Sequence, residues 1–408
     1  MQTALATIIV FGVIVFIHEL GHFLVAKRVG ILVREFAIGF GPKLISVKKG
    51  ETVYSIRALP LGGFVRMAGE DPETFDIKNG IRVGLSLENN IVTKIDLKPN
   101  ASHQITGKIE EYDLEKRMFI RLETETGSKS YQVYESAIIV KDKEEVQLAP
   151  IHRKFNGKTV GQRAAAIFAG PAMNFLLAGL LYAMIIGITG VPSEANIVGD
   201  VVAGNPAAEA GIIAGDRIVE VDGITITTWQ DLVQQISAKP NQAIDIAIQR
   251  GEQNVTMSLT TLEQAGTGKI GIVPTTESAG LMSIVYGFER TWELAVLLLS
   301  HLGQMITGQI AADVAGPVGI IQIIGDQANE GLLQLISLAA FLSLNLGIIN
   351  LFPIPALDGG RLVFLALEGL RGKPIDPNKE GVIHFVGFAL LMLLILVVTY
   401  KDVMRIFS

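Results

Sequence analysis

The sequence predicts a polytopic α-helical membrane protein with about four transmembrane helices, a membrane-associated β-rich cytosolic segment and one extracytosolic α+β domain. Two observations predict this fold class. The mean hydropathy is +0.43 although 18% of the residues are charged, which indicates apolar spans separated by polar domains. Four apolar stretches of about 20 residues are also long enough to cross the roughly 30 Å of hydrocarbon in a bilayer.

The composition also limits the cofactors and partners. The chain has 408 residues, too many for a single small domain, and contains no cysteine, which rules out disulfides and thiolate metal ligands. Its net charge of -6, without a basic helix, gives no support to nucleic-acid binding. We therefore expect the lipid bilayer as a partner and no nucleic acid.

The first element is a predicted transmembrane helix within residues 1–30, with an apolar run over Ala4–Ala26. No lysine or arginine precedes this run, so it is not typical of a cleaved signal peptide. Lys27, Arg28 and Arg34 follow it. By the positive-inside rule, this charge distribution places the N-terminus outside the cell and the next segment in the cytosol.

The second element, residues 31–150, is predicted to be rich in β-structure. Glu35–Lys43, Thr52–Arg57 and Gly62–Met67 have the pattern of short strands joined by glycine turns. In residues 80–148 apolar and charged positions alternate, which indicates a β-rich insert. We assign no chemistry to this insert.

Three further transmembrane helices are predicted, in residues 164–190, 332–360 and 382–408. Basic residues flank the start of the second span and the end of the third, which places both of these flanks in the cytosol. Residues 361–381 are then expected to be a cytosolic loop, and both termini lie outside. Two basic residues near the C-terminus weigh against this orientation.

Residues 195–265, between the second and third spans, have a different pattern. Glycine-bounded turns and alternating strands flank a helical stretch at Trp229–Ile236. This order of elements resembles a PDZ domain, in which Gly211 and Gly215 are candidates for shaping a peptide groove; a size filter is the alternative role. Residues 281–310 follow a helical pattern with charged positions, which predicts an amphipathic helix on the membrane surface and leaves a fifth span as the alternative.

The predicted chemistry centres on His18, Glu19 and His22, which lie inside the first span. On a helix the two histidines are one turn apart on one face, where they can share a zinc ion. The glutamate beside the first histidine is then placed to take a proton from the attacking water. Ionisable groups are costly inside a bilayer and typically mark a functional site there.

A third zinc ligand is predicted far along the chain, within Asn350–Gly359. Two prolines in this stretch cannot continue the helix of the third span, so the chain unwinds where Asp358 offers a carboxylate. Asp358 is therefore expected to meet His18 and His22 near the cytosolic face, and a helix cap or a turn is its alternative role. His384 has no partner at ligand spacing and is expected to be an ordinary polar residue.

Together these residues resemble the signature of the site-2 protease family, which consists of intramembrane zinc metalloproteases. The resemblance is carried by His18-Glu19-x-x-His22 in the first span and Asn350-x-x-Pro-x-Pro-x-Leu-Asp-Gly359 in the third. A third matching element is Gly170-Pro171-x-x-Asn174 in the second span. With one PDZ-like domain, the chain is similar over essentially its whole length to the bacterial regulator-of-sigma-factor proteases.

The resemblance implies a role for each matching residue. His18, His22 and Asp358 match the zinc ligands, and Glu19 matches the general base. Six residues match positions linked to holding the substrate. They are Asn345, Asn350, Pro353, Pro355, Gly39 and Gly41, and the two glycines lie in what resembles a membrane-re-entrant β-loop. The asparagines have helix packing as an alternative role, and the prolines have helix termination. Asn174 is assigned either to stabilising the oxyanion or to packing.

The resemblance also implies regulated intramembrane proteolysis. The expected substrates are single-span membrane proteins, such as anti-sigma factors and remnant signal peptides, whose membrane segment unwinds locally and pairs with an edge strand at Glu35–Lys43. The expected location is the bacterial plasma (inner) membrane, with the active site near the cytosolic face. One alternative is a non-catalytic, membrane-anchored PDZ scaffold, which would not need Glu19. Another is a metal transporter, which would need ionisable residues in the second and fourth spans.

Overall fold

The structure of the protein is a computed structural model that describes residues 2–70, 77–99, 103–142, 144–310 and 315–407. The chain divides into two compact units. The first unit consists of Met1–Ala178 and Thr291–Ser408, and the second consists of Gly179–Arg290.

Within the described residues, four helices have the length and hydropathy of membrane spans. They are α1 (Gln2–Arg28), α2 (Val160–Thr189), α7 (Leu332–Leu351) and the segment Lys379–Arg405 of α9 (Pro377–Phe407). Each coincides with a stretch that the sequence predicts as transmembrane. Their length and apolar composition fit a membrane protein.

The other helices are α3 (Pro206–Glu209), α4 (Trp229–Ser237), α5 (Met282–Ile306), α6 (Pro317–Glu330) and α8 (Asp358–Arg371). Helix α6 is absent from the sequence-based prediction, although Pro317 in its first turn is a common helix-start signal. The predicted cytosolic loop at 361–381 is corrected, because α8 continues to Arg371. Leu362 and Leu365, at helical spacing, hold α8 against the core of the first unit.

Helix α5 also differs from the predicted surface helix. In the first unit, Ala295 of α5 is buried together with Ala178 of α2 and with Leu344 and Ile348 of α7. A helix confined to the membrane surface would not bury a side chain among two spans. This packing contradicts a purely surface position for the C-terminal half of α5.

Helix α6 is held between α1 and α9. Ile324 of α6 is fully buried and packs with Ile14 of α1. At the other end, the backbone N–H groups of Gly316 and Gly319 donate to the carboxylate of Asp402 in α9, at 3.1 and 2.8 Å. A carboxylate at this position satisfies amide groups that have no partner inside the helix.

Strands β1 (Val33–Lys49) and β2 (Thr52–Met67) form a two-stranded antiparallel sheet whose long strands bend back on themselves. Glu35 of β1 is paired with Arg66 on one side and with Val53 on the other. The start of β1 is therefore an internal segment of the sheet, and the end of β2 is an edge. In the described part of the chain no other strand pairs with that edge.

The β-rich insert is a six-stranded sheet with the order β4-β3-β5-β6-β7-β8, in which β4 also pairs with β7. The additional pairing closes five of these strands into a barrel around fully buried side chains such as Leu85, Ile95 and Ile120. The strands are β3 (Arg82–Glu88), β4 (Ile91–Asp96), β5 (Ile105–Asp113), β6 (Phe119–Thr124), β7 (Gly127–Lys141) and β8 (Glu144–Gln147).

The second unit contains a four-stranded sheet with the order β12-β11-β13-β14, against which α4 packs. Thr228 and Asp231 form a capping box that starts α4, and Leu232 of α4 joins Ile218 and Ile246 in the core. The predicted order of turn, strand, turn and helix occurs here. The strands of this unit are β9 (Val191–Pro192), β10 (Val198–Val201), β11 (Arg217–Val221), β12 (Ile224–Thr225), β13 (Ala243–Arg250), β14 (Gln253–Thr260), β15 (Leu262–Gln264), β16 (Thr267–Lys269), β17 (Ile272–Pro274) and β18 (Thr276–Glu277).

Candidate metal centre and its cavity

Helix α1 brings His18 and His22 together on one face. Both side chains are buried, and their Nε2 atoms lie 3.2 Å apart. Helix α2 packs against this turn so closely that a Cβ atom on Gly170 would lie 2.2 Å from Nε2 of His22. Glycine is therefore required at position 170 if both imidazole rings are to keep their places.

Asp358 reaches the two histidines from the first turn of α8. Helix α7 ends at Leu351, and the two prolines that follow prevent its continuation. Oδ2 of Asp358 lies 3.2 Å from Nε2 of His18 and 3.4 Å from Nε2 of His22. Asp358 follows the N-cap and is not itself the capping residue, although its charge also suits the positive end of the helix.

The three side chains fit a zinc ion. In a tetrahedral site with bonds of about 2.0–2.1 Å, the ligand atoms are about 3.3 Å apart. The three observed separations among His18, His22 and Asp358 are 3.2, 3.2 and 3.4 Å. Oδ2 of Asp358 is also buried without a hydrogen-bond donor. Among the described residues, these form the single group of histidine, aspartate or glutamate side chains that could hold a metal ion.

The far side of each imidazole ring contacts helix α2. Nδ1 of His22 lies 2.9 Å from the carbonyl oxygen of Ala166 and donates its hydrogen to it, which leaves the lone pair on Nε2 for a metal. Nδ1 of His18 lies 3.2 Å from the amide of Asn174. Asn174 is fully buried and contacts Nδ1 of His18, whereas Asp358 lies at Nε2 of the same ring. This position supports the packing role predicted for Asn174 and not the oxyanion role.

Glu19 borders a cavity of about 400 Å³ that also contains the three candidate ligands. Gly63 of β2 approaches this glutamate so closely that a Cβ atom on Gly63 would lie 2.8 Å from Cγ of Glu19. One wall of the cavity is the edge of the β1–β2 sheet, formed by Gly62, Gly63, Phe64, Val65 and Met67. The carboxylate of Glu19 therefore faces a space that a peptide segment can enter.

Two charged residues of the cavity were not identified from the sequence. The guanidinium of Arg361, one turn after Asp358, forms an ion pair with Glu70, which follows β2. Burial acts to lower the pKa of Arg361, but the charges of Glu70 and Asp358 outweigh it and hold the pKa above its usual range. Arg361 therefore stays positively charged beside the candidate metal centre. Its ion pair with Glu70 ties α8 to the end of β2.

Of the remaining predicted site residues, some line the cavity and others do not. Asn350 lines the cavity. The side chain of Asn345 donates to the carbonyl oxygen of Phe341 within its own helix at 3.2 Å, which agrees with the packing alternative. Pro353 is exposed, and Pro355 packs against α9. Neither proline is among the described residues that line the cavity.

Gly39 and Gly41 lie in the bend of β1 and do not line the cavity, whereas Phe40 between them does. Both glycines have positive φ angles, of 88° and 81°. A Cβ atom on Gly39 would lie 2.6 Å from the carbonyl oxygen of Leu59. In this structure the two glycines shape the bend that presents Phe40.

Comparison with known proteins decides the family. The model of peptidase family M50 matches residues 6–394 of the chain. The chain belongs to peptidase family M50. This is the site-2 protease family of metallopeptidases, so the resemblance that the two motifs indicated is confirmed.

Three curated relatives of this M50 protein match over their full length. The chain is 45% identical to "Zinc metalloprotease RasP" of Geobacillus kaustophilus, covering 100% of this chain and 99% of the relative. It is 44% identical to "Regulator of sigma-W protease RasP" of Bacillus subtilis, covering 100% and 99%. It is 35% identical to "Probable protease eep" of Enterococcus faecalis, covering 100% of both chains.

Among solved structures, the PDZ domain of the SdrC-like protein Lin2157 of Listeria innocua matches 21% of this chain and 97% of its own length. The sequence identity is 30% and the TM-score is 0.19.

Proposed function

We propose that this M50 protein is an intramembrane zinc endopeptidase that cuts single-span membrane proteins within or near their membrane segment. The observation that carries the proposal is the convergence of His18, His22 and Asp358 beside Glu19. The two histidines and Glu19 lie on a helix with the composition of a membrane span. A non-catalytic scaffold would have no use for a buried glutamate that borders the same cavity as the metal ligands.

The three ligands come from two helices that the fold holds together. His18, His22 and Asp358 would hold the zinc ion, with the His22 ring oriented by its hydrogen bond to Ala166. When bound, zinc polarises the scissile carbonyl group and lowers the pKa of a water molecule to about 7. The protein then has to accept and return the proton of the attacking water.

Glu19 accepts that proton and later delivers it to the leaving amine. Glu19 directly follows the ligand His18 in the sequence, and the residue is only 8% exposed. The contact with Gly63 holds the side chain between the α1 helix and the edge of the sheet. A base with few rotamers available keeps its position through the reaction, which favours proton transfer over a fixed distance.

The substrate binds as an extended segment along the edge formed by the end of β2. A transmembrane helix hides its carbonyl groups in its own hydrogen bonds, so it has to unwind before it can be cut. The predicted edge at Glu35–Lys43 is corrected, since Glu35 already has strand neighbours on both sides. The end of β2 has a free side and lines the cavity, and addition of a substrate strand there supplies main-chain hydrogen bonds. Asn350 lines the same cavity, and its amide binds freed backbone groups of the substrate in this proposal.

The proposed substrates are anti-sigma factors and remnant signal peptides. The Bacillus subtilis relative is named a regulator of sigma-W protease, which supports the first of these classes. The proposed location is the bacterial plasma membrane, with the metal centre near the cytosolic face and the PDZ-like unit on the other side. The basic residues after α1 and before α2 support this orientation.

Metal removal tests the proposal. The full-length protein in detergent is stripped with a chelator, and cleavage of a tagged single-span substrate is followed before and after zinc is added back. We expect cleavage to stop on removal and to return with about one zinc ion per chain. Unchanged cleavage by protein that contains no measurable zinc would contradict the proposed function.

A further inference from the structure

The loop between α7 and α8 carries Asp358 at its end and has one unusual residue. Ala356, two positions before Asp358, has a φ angle of +78°. This left-handed conformation is unfavourable for a residue with a Cβ atom. The surrounding structure therefore has to hold the loop in place.

Helix α9 provides that support at two successive positions on one face. The backbone N–H of Ala356 donates to Nδ1 of His384 at 2.9 Å. Three residues later on α9, a Cβ atom on Gly387 would lie 2.4 Å from Cβ of Pro355 and 2.7 Å from its carbonyl oxygen. The Pro355–Ala356 turn is thus fixed by a hydrogen bond and by close backbone packing from the same helix.

The surroundings of His384 suit its role as a hydrogen-bond acceptor. Its ring packs edge-on against Phe364 of α8, with centroids 5.3 Å apart. Nε2 lies 3.7 Å from the carboxylate of Glu380, one turn earlier on α9. Because the backbone N–H of Ala356 can only donate, the lone pair on Nδ1 accepts, and the hydrogen of a neutral ring is then on Nε2. His384 is not among the described residues that line the catalytic cavity.

We propose that His384 is a positioning residue for the metal centre, which holds the Ala356 peptide group and thereby sets the carboxylate of Asp358 for zinc. The inference rests on the proposed function, because it assumes that Asp358 is a zinc ligand. Nothing in the sequence spacing identified His384, since the contact is with a backbone group. Residues that orient metal ligands typically change metal affinity by about 10–100-fold when they are replaced.

The test measures zinc affinity by competition with a chelator, using full-length protein in detergent. His384→Leu keeps the bulk of the side chain but removes the acceptor, and His384→Asn restores an acceptor near the position of Nδ1. We expect about a 10–100-fold loss of affinity in His384→Leu and partial recovery in His384→Asn. Phe385→Leu, at a neighbouring side chain that is 72% exposed, is the matched control and is expected to bind zinc as the wild type does.

Two further variants keep the test decisive. Ala356→Gly makes the left-handed conformation less costly, so in the His384→Leu background it should recover part of the lost affinity. If His384→Leu does not fold, Gly387→Ala, which would push on Pro355, should lower zinc affinity instead. A wild-type protein that binds no zinc would overturn the proposed function. Wild-type zinc affinity in a folded His384→Leu protein, or in Gly387→Ala where that variant replaces it, would overturn only the role of His384.

Discussion

The side-chain amide of Asn174 lies 3.2 Å from Nδ1 of His18, while its own Oδ1 is buried without a hydrogen-bond donor in the described part of the chain. Rotation of the amide by a half-turn exchanges its oxygen and nitrogen. Oδ1 then accepts from Nδ1–H of His18. In that arrangement Asn174 fixes the tautomer in which Nε2 of His18 faces the metal, as Ala166 does for His22.

Replacement of Asn174 is expected to weaken zinc binding more when no hydrogen-bond acceptor remains at this position. Asn174→Ala removes the acceptor, and we expect about a 10–100-fold loss of zinc affinity. Asn174→Asp keeps an oxygen at this position and should bind zinc more tightly than the alanine variant. Chelator competition measures both affinities. Equal affinities in the two variants would contradict the orienting role.

The close approach of α2 to the metal centre gives a second prediction. Gly170→Ala places a methyl group where only 2.2 Å separates it from Nε2 of His22, so the ring has to move and zinc content should fall sharply. Gly161→Ala is the matched control on the same helix, because a Cβ atom there meets nothing within 4 Å. Zinc per chain is measured by elemental analysis of both purified variants. Full zinc occupancy in Gly170→Ala would show that the site does not depend on this packing.

Gly63 is expected to affect the base without affecting the metal. A methyl group on Gly63 would lie 2.8 Å from Cγ of Glu19 and 2.8 Å from the carbonyl oxygen of Ala37. Gly63→Ala should therefore lower the cleavage rate by displacing Glu19, while zinc remains bound. Gly12→Ala, on the same helix as Glu19 and with no atom within 4 Å of its Cβ, is the control. Cleavage at the wild-type rate in Gly63→Ala would argue against a fixed position for the base.

The sequence predicted the parts of this structure that depend on residue type and local spacing. The four spans were predicted from the length of the apolar stretches. His18, Glu19 and His22 were predicted from their side-chain chemistry and helical spacing, and Asp358 from the prolines that end the helix before it. The structure places the ligand atoms of the two histidines and of Asp358 within 4.8 Å of one another. The assignment of the individual site residues remains a prediction that the variants above test.

The parts that could not be predicted depend on contacts between distant segments. The free edge at the end of β2 depends on Glu35 being paired on both sides, which no local pattern reveals. In the sequence, Arg361 is one of the basic residues that follow the third span, and only the fold places it beside Glu70. His384 accepts a hydrogen bond from a backbone N–H group, and the spacing of side chains in the sequence does not predict a contact with a backbone group. Helix α6 was different, since Pro317 and the apolar spacing after it could have predicted it.

A pH-dependent contribution to stability is expected from Glu51, in the turn between β1 and β2. Hydrogen bonds from Arg153, at 2.7 and 2.6 Å, outweigh burial and lower the pKa of Glu51 from 4.5 to about 2. A depressed folded-state pKa stabilises the protein above the unfolded value, and this stabilisation is lost as the pH falls from 4.5 towards 2. Glu51→Gln should therefore lower the unfolding temperature at neutral pH, and its difference from the wild type should shrink over that range. A difference that does not change with pH would contradict the assignment.

Cleavage by Glu19→Gln, with zinc measured in the same preparation, tests the central claim most directly. The amide keeps the shape of the side chain but cannot accept the proton of the attacking water. General-base catalysis contributes about 10²–10⁴-fold in rate, so we expect cleavage of a tagged single-span substrate to be lost while zinc is retained. Glu252→Gln, at an exposed glutamate of the second unit, is expected to cleave normally. Cleavage by zinc-loaded Glu19→Gln at the wild-type rate would contradict the assignment of Glu19 as the base of a zinc peptidase.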